Sequence, residues 1–150
     1  MNIRELDRAE ARIAHPVLRE LRPWLDSPED FLAAVSPQFD QGYRLACVFD
    51  TGPEARAAVG FRVGDTLAWG RHLYVDDLCT LPEARGNGYA TGLLGWVERE
   101  AVRLGVRQLH LDSGTQRHTA HRLYTGNGFT ISSLHFTKTL DEAVTEPERN

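Results

Sequence analysis

Residues 81–90, LPEARGNGYA, separate two runs whose hydrophobic periods differ, and this junction constrains the fold more than any other stretch. Before it, RHLYVDDLCT (71–80) reads as a strand. After it, Ala90, Leu93, Leu94, Val97, Ala101 and Leu104 fall on one face of a helix. Gly105 is placed to terminate that helix. VRQLHLD (106–112) then reads as a second strand. A strand–helix–strand crossover predicts two parallel strands within one sheet.

The residues upstream do not continue that alternation. NIREL reads as a short first strand. Residues 8–22 carry Ala11, Ala14, Leu18 and Leu21 at helical spacing, interrupted by Pro16, so this segment is a kinked helix or two pieces. Ser27 and Pro28 open another helix, with Pro37 following its end. GYRLACVFD (42–50) and RAAVGFRVG (56–64) read as strands, the latter with Ala57, Val59, Phe61 and Val63 on one face. With 71–80 they predict an antiparallel meander. Downstream, TQRHTAHRLYTGN (115–127) reads as a helix and GFTISSLHFTKTL (128–140) as one or two final strands. With no repeat and no linker, the expectation is one α+β domain over 1–150, its polar tail from about 142 to 150 frayed.

The junction has chemical content of its own. A helix start leaves backbone N–H groups without intrahelical acceptors and carries partial positive charge. Arg85 adds a guanidinium suited to phosphate, while Gly86 and Gly88 remove side chains from a close approach to the backbone. Two readings follow: a phosphate cradle, or a tight turn that needs glycine and nothing more. A Walker loop is excluded, because Tyr89, Ala90 and Thr91 stand where lysine and serine or threonine are required. A dinucleotide fingerprint fits poorly. Its third glycine, Gly92, comes one position late, and about 80 residues precede a unit that normally opens its fold.

Net charge is −4, which gives no support for a nucleic-acid or anionic-membrane partner. No apolar run approaches 18 residues, and the N-terminus lacks a signal core, so a cytoplasmic protein is expected. Cys47 and Cys79 fall in predicted strands and read as free thiols. His72, His110, His118 and His121 have no cysteine at site-like spacing, so no metal is expected.

RGNGYA resembles the coenzyme A loop of the GCN5-related N-acetyltransferase (GNAT) superfamily, whose pattern is Arg/Gln-x-x-Gly-x-Gly/Ala. Here it is carried by Arg85, Gly88 and Ala90. A second family feature lies downstream: Ala120, Tyr124, Gly128 and Phe129 match Ala-x-x-x-Tyr-x-x-x-Gly-Phe. The resemblance covers roughly 42–140. It implies a mixed, twisted sheet of six or seven strands with helices on both faces. It also implies that the strand ending at Thr80 and the strand over Arg107–Asp112 splay apart around acetyl-coenzyme A.

In that arrangement the pyrophosphate rests on the backbone of Arg85, Gly86, Asn87, Gly88, Tyr89 and Ala90. The pantetheine arm pairs with Leu78, Cys79 and Thr80. Ser113 either touches the pantetheine or caps the next helix. Tyr124 matches the family's general acid, with packing as the competing role.

Asp76 and Asp77 are the candidates for a base or an electrostatic contact to the amine, with structural hydrogen bonding as the alternative. Strand alternation puts them on opposite faces. His118 or His121 could line the pocket, and Trp69 could border the acceptor. The implied reaction is direct acetyl transfer to a primary amine of a small molecule or peptide in a ternary complex. The acidic pair favours a cationic acceptor. The alternative is a non-catalytic acyl-coenzyme A sensor. A homodimer is common in the family.

Overall fold

The architecture is that of a computed structural model describing residues 1–140, so the expected frayed tail over 142–150 lies outside the described residues. The chain divides into two compact units, Met1–Leu111 and Asp112–Asn150.

The first unit is a five-stranded sheet in the order β1-β2-β3-β4-β5. β1 (Asn2–Leu6), β2 (Arg44–Phe49), β3 (Ala55–Thr66) and β4 (Gly70–Thr80) form the expected antiparallel meander, and β5 (Leu109–Leu111) joins β4 in parallel. Pro16 does split the first helical segment. A 3₁₀ turn over Arg8–Ala14, closed by an Asp7–Glu10 capping box, gives way to α1 (His15–Leu21) with Pro16 in its first turn. α2 (Pro28–Asp40) begins at the Ser27 cap but runs through Pro37 instead of stopping before it. Pro37 removes the backbone donor that would reach Ala33 O, and the helix continues past that gap.

The two faces of the sheet are covered by different helices. Tyr43, Leu45, Cys47 and Phe49 alternate toward one face and pack with Ala11, Ala14, Val17 and Leu18 of the N-terminal segments and with Phe31 and Val35 of α2. The other face receives α3 (Tyr89–Arg103), which buries Leu93, Leu94, Val97 and Ala101. Trp96 of α3 meets the fully buried Phe61 edge-on at 6.0 Å. Burying a side chain such as Phe61 or Leu45 contributes about 2 kcal/mol. Arg44 pins the same face: it forks onto Glu5 at 2.7 Å through both Nε and Nη2 and reaches Glu100 at 2.8 Å. β3 is buried on both faces from Ala57 through Phe61, not on one as its alternation suggested, because it is a central strand covered above and below.

The second unit holds α4 (His118–Gly126), reached by a loop from Asp112. No strand is assigned over 129–140, and the sheet among the described residues has five strands where six or seven were expected. The sequence there has strand character, but a strand forms only when its backbone groups find a partner.

Candidate active site

The loop between β4 and α3 is built for its backbone. A short 3₁₀ turn, Pro82–Ala84, buries Ala84, and Asn87 Nδ2 donates to Ala84 O at 2.9 Å to close the turn. Gly86 and Gly88 hold φ of +81° and +74°, where other L-residues are strained. A Cβ on either would meet nothing within 4 Å, so the glycines are required by conformation and open space lies beside them. Gly88 is the N-cap of α3 and supplies no side-chain cap, and no acidic residue occupies the first turn. The first helical bond runs from Gly92 N–H to Gly88 O at 2.9 Å. The N–H groups of Tyr89 and Ala90 precede it and have no intrahelical acceptor. Arg85 is exposed beside them. These donors, with positive charge and no competing carboxylate in the turn, fit an anion such as a pyrophosphate. Tyr89 Oη donates to Asp50 Oδ2 at 3.3 Å, tying the loop to the end of β2.

β4 supplies the second component. It pairs with β5 only over Leu73–Val75, while on its other side the β3 ladder continues to Thr80. Beyond Val75, therefore, the side of β4 that faced β5 has no strand pairing among the described residues. Leu78 is buried there, and Cys79 and Thr80 are half-buried.

Asp76 and Asp77 lie in this stretch, and here the strand departs from simple alternation. Gly60 pairs with Asp77 and Phe61 with Val75, leaving Asp76 as the extra residue of a β-bulge. The bulge brings both carboxylates into one polar cluster, and the expectation of opposite faces is corrected. Arg22, at the end of α1, donates through Nε to Asp77 Oδ1 at 3.0 Å and through Nη2 to the Asp76 carbonyl at 3.1 Å. Tyr43 Oη donates to Asp77 Oδ2 at 2.9 Å. Arg62 Nε donates to Asp76 Oδ2 at 2.8 Å, its Nη2 donates to Gln38 Oε1 at 3.0 Å, and its guanidinium lies 5.6 Å from the Tyr43 ring centre.

Burial, reinforced by Asp77, pushes the Tyr43 phenol well above its ordinary range. Burial also raises the Asp76 carboxyl, against the opposing pull of Arg62. Two carboxylates face two guanidiniums, so the cluster presents no net negative charge. The pair of aspartates therefore does not by itself favour a cationic acceptor. Arg22, Gln38, Tyr43 and Arg62 were not singled out from sequence. Arg22, Tyr43 and Arg62 lie 14 to 55 positions from their aspartate partners, Gln38 is tied in through Arg62, and only the fold brings them together.

In the second unit, Ser113 Oγ is buried with no hydrogen-bond partner among the described residues. It does not cap α4, whose N-cap is Arg117. A buried hydroxyl left unsatisfied is costly, and it fits a ligand that would complete it. His121 Nε2 meets Gly114 O at 2.8 Å and fastens the loop before α4, while His118 is exposed. Tyr124 is 8% exposed and packs edge-on to Phe129 at 6.0 Å.

Trp69 occupies the β3–β4 turn and stacks on His110 at 3.8 Å. That is the end of β4 remote from Leu78–Thr80, roughly 30 Å along the strand. This placement argues against Trp69 bordering an acceptor beside the bulge. Among the described residues no group of three or more His, Cys, Asp or Glu could hold a metal ion. No described helix is long and apolar enough to cross a membrane.

Residues 5–129 match the Acetyltransferase (GNAT) family. The chain is 34% identical over 127 residues to the uncharacterized N-acetyltransferase YhdJ of Bacillus subtilis (strain 168), covering 83% of this chain and 88% of that protein. It is 36% identical over 66 residues to the aminoalkylphosphonate N-acetyltransferase of Salmonella typhimurium, covering 44% of this chain and 43% of that one. Among solved structures, the aminoglycoside N-acetyltransferase AAC(6')-Iy in complex with CoA superposes with a TM-score of 0.79 at 15% identity, covering 93% of this chain and 95% of that one.

Proposed function

The chain belongs to the GNAT acetyltransferase family, and from that premise we propose that it is an N-acetyltransferase acting on a primary amine. The observation that carries the reading is the break in the β4–β5 pairing after Val75 next to a glycine-opened helix N-terminus. The family match runs over residues 5–129 and so reaches from the first compact unit into the second, which supports reading 1–150 as one functional domain.

Arg85, Gly86, Asn87, Gly88, Tyr89 and Ala90 would hold the pyrophosphate, and Leu78, Cys79 and Thr80 the pantetheine, with Ser113 offering a further hydrogen bond. When bound, acetyl-CoA supplies an activated thioester, whose acetyl carbon gains a bond to the amine nitrogen as the carbon–sulfur bond breaks. The residues of the chain do the rest. Backbone donors at the β4 bulge are suited to stabilise negative charge on the carbonyl oxygen. Tyr124 is assigned the proton for the departing thiolate. Asp76 and Asp77 are both held by arginine. They act by fixing the bulge and its local field, and water takes the proton from the amine. Cys79 is not assigned a covalent role, since direct transfer needs no enzyme nucleophile.

The acceptor is an amine on a small molecule or peptide. The balanced Arg22–Asp77 and Arg62–Asp76 pairs suit an acceptor carrying charges of both signs better than a polycation. A panel of polyamines, aminoglycosides, amino acids, aminophosphonates and lysine peptides, read by release of free thiol from acetyl-CoA, tests the proposal. Thiol release with at least one amine is expected. Tight coenzyme binding with no release across the panel would replace the enzyme reading with a non-catalytic sensor.

A further inference from the structure

Arg22 follows the last residue of α1 and turns most of its guanidinium inward. Nε donates to Asp77 Oδ1 at 3.0 Å, and Nη2 lies 2.9 Å from the same oxygen. Nη2 also donates to the Asp76 carbonyl at 3.1 Å. Tyr43 takes the other Asp77 oxygen, and Arg62 takes Asp76 Oδ2. The carboxylates are thus spent largely within the cluster. The third Arg22 nitrogen, Nη1, takes part in none of these bonds, and the side chain keeps 26% of its surface exposed. Nη1 carries N–H donors of its own, held in the plane of a permanent cation and suited to an anionic oxygen.

The surroundings hold this donor still. Leu25 N–H donates to Arg22 O at 2.9 Å, closing the turn after α1. The Leu25 carbonyl meets Nε2 of the buried His15 at 2.9 Å, and the Leu25 side chain packs against the core. Trp24, in the same turn, has its ring centre 5.8 Å from the Arg22 guanidinium carbon, a cation–π contact. An arginine held this way has little freedom left to lose when it takes a ligand. Through the Asp76 carbonyl it also borders the bulge whose backbone was assigned to the acetyl oxygen. An anionic oxygen on Nη1 would stand within about 8 Å of that carbonyl, given ordinary charge-assisted bond lengths.

We propose that Arg22 selects the acceptor: a short amine that carries an oxyanion, carboxylate or sulfonate-like, on the same molecule. The anion sits on Nη1 beside Trp24, and the amine reaches the bulge. This rests on the acetyltransferase reading above and adds to it the class of acceptor and the residue that reads it. A polyamine offers nothing to Nη1 and brings more positive charge toward Arg22 and Arg62, so it is selected against.

The test uses the full chain with acetyl-CoA and matched acceptors: glycine, β-alanine and γ-aminobutyrate, each against its own amide, with taurine as the sulfonate arm. Thiol release is measured, and each rate is referred to the fraction of neutral amine. At least one acid is expected to exceed its amide in kcat/KM by about tenfold or more. Arg22→Gln is made together with Asp77→Asn, so that no unpaired carboxylate is left in the cluster. In that protein the acid-to-amide ratio should fall to within about threefold of unity. Arg22→Lys keeps an ion pair with Asp77 but has no second nitrogen to offer, so its ratio should also fall, by about threefold or more. A merely structural Arg22 would lower both rates together and leave the ratio where it was. Taurine turned over in place of the amino acids, with the same dependence on Arg22, would uphold the proposal and make the anion tetrahedral. Acids and amides used alike, a preference for the amides, or a ratio that survives both changes would overturn it. Calorimetric titration of N-acetyl-β-alanine and its amide into the CoA-bound protein needs no turnover. If no amine releases thiol, the acetyltransferase reading falls. The acid binding about tenfold more tightly than the amide, and only with Arg22 present, would then still uphold the anion site. Equal binding would overturn that as well.

Discussion

The Tyr43 hydroxyl occupies the space that a Cβ on Gly60 would need, 1.8 Å from that position, and from there it reaches Asp77. Gly60 lies directly across the ladder from Asp77, at the edge of the bulge. The glycine is therefore a seat for the tyrosine, and the tyrosine is a brace for the aspartate.

Gly60→Ala is expected to destabilise the chain by about 2–3 kcal/mol, because the phenol must leave its seat and its buried hydrogen bond. Chemical denaturation measures this. In a double-mutant cycle with Tyr43→Leu, the second change should recover a large part of the loss. Purely additive losses would mean that the contact does not cause the damage.

Glu100 gives a prediction in acid. Hydrogen bonding from Arg103, then from Arg44, holds its carboxyl at about 2, below the ordinary 4.5. A depressed carboxyl contributes stability that is complete above about pH 4.5 and is lost as pH falls toward 2. Glu100→Gln is expected to cost about 1–2 kcal/mol at pH 7, the figure reduced because Arg103 is largely solvated. Below pH 2 the two proteins should converge. An equal gap at pH 7 and at pH 2 would refute the ionic origin.

The two thiols should behave differently. Burial pushes the Cys47 thiol up to about 12, so at pH 8 only about one in ten thousand is ionised. Cys79 is half-buried on β4. A thiol reagent on the native protein is expected to label Cys79 first and Cys47 only on unfolding. Acetyl-CoA should slow Cys79 labelling. If labelling is unaffected by saturating coenzyme, the pantetheine does not lie along Leu78–Thr80.

At the N-cap and in the interior of α3, two glycine substitutions should have opposite consequences. Gly88→Ala forces a side chain into the left-handed region, at about 1–2 kcal/mol, and should weaken coenzyme A binding about tenfold by moving the first N–H groups. Gly95→Ala meets only the end of Arg99 at 3.6 Å and should be neutral or up to about 1 kcal/mol stabilising, with binding unchanged. Calorimetric titration separates the two.

Tyr124→Phe is expected to lower kcat about 100-fold with little change in KM for acetyl-CoA. Undiminished turnover would demote Tyr124 from the reaction to a structural role, which includes its packing against Phe129.

The parts of the site that were legible in the sequence depend on short-range rules. Gly86 and Gly88 marked a turn that needs glycine, as their positive φ shows, and the switch from strand to helix period marked the junction itself. The meander and the parallel β5 followed from spacing and connection length. What escaped was long-range or local in a way that pattern does not encode. The bulge at Asp76 adds one residue to a strand whose composition is unchanged, so alternation misplaced the aspartates. Arg22 and Arg62 belong to no sequence motif, and only the fold sets them against those aspartates. Pro37 was read as a stop, although packing carries the helix through it. Residues 128–140 were read as one or two strands, and among the described residues none is assigned there.

The stretch of β4 past Val75 offers its main chain where a neighbouring strand would otherwise be. A ligand that pairs there is gripped by groups common to every residue but proline. Side chains at Leu78, Cys79 and Thr80 can therefore drift through generations of substitution without loosening that hold. Heritable variation is then free to remodel what lies at the reacting end, and new acceptors can be tried with the donor already secured.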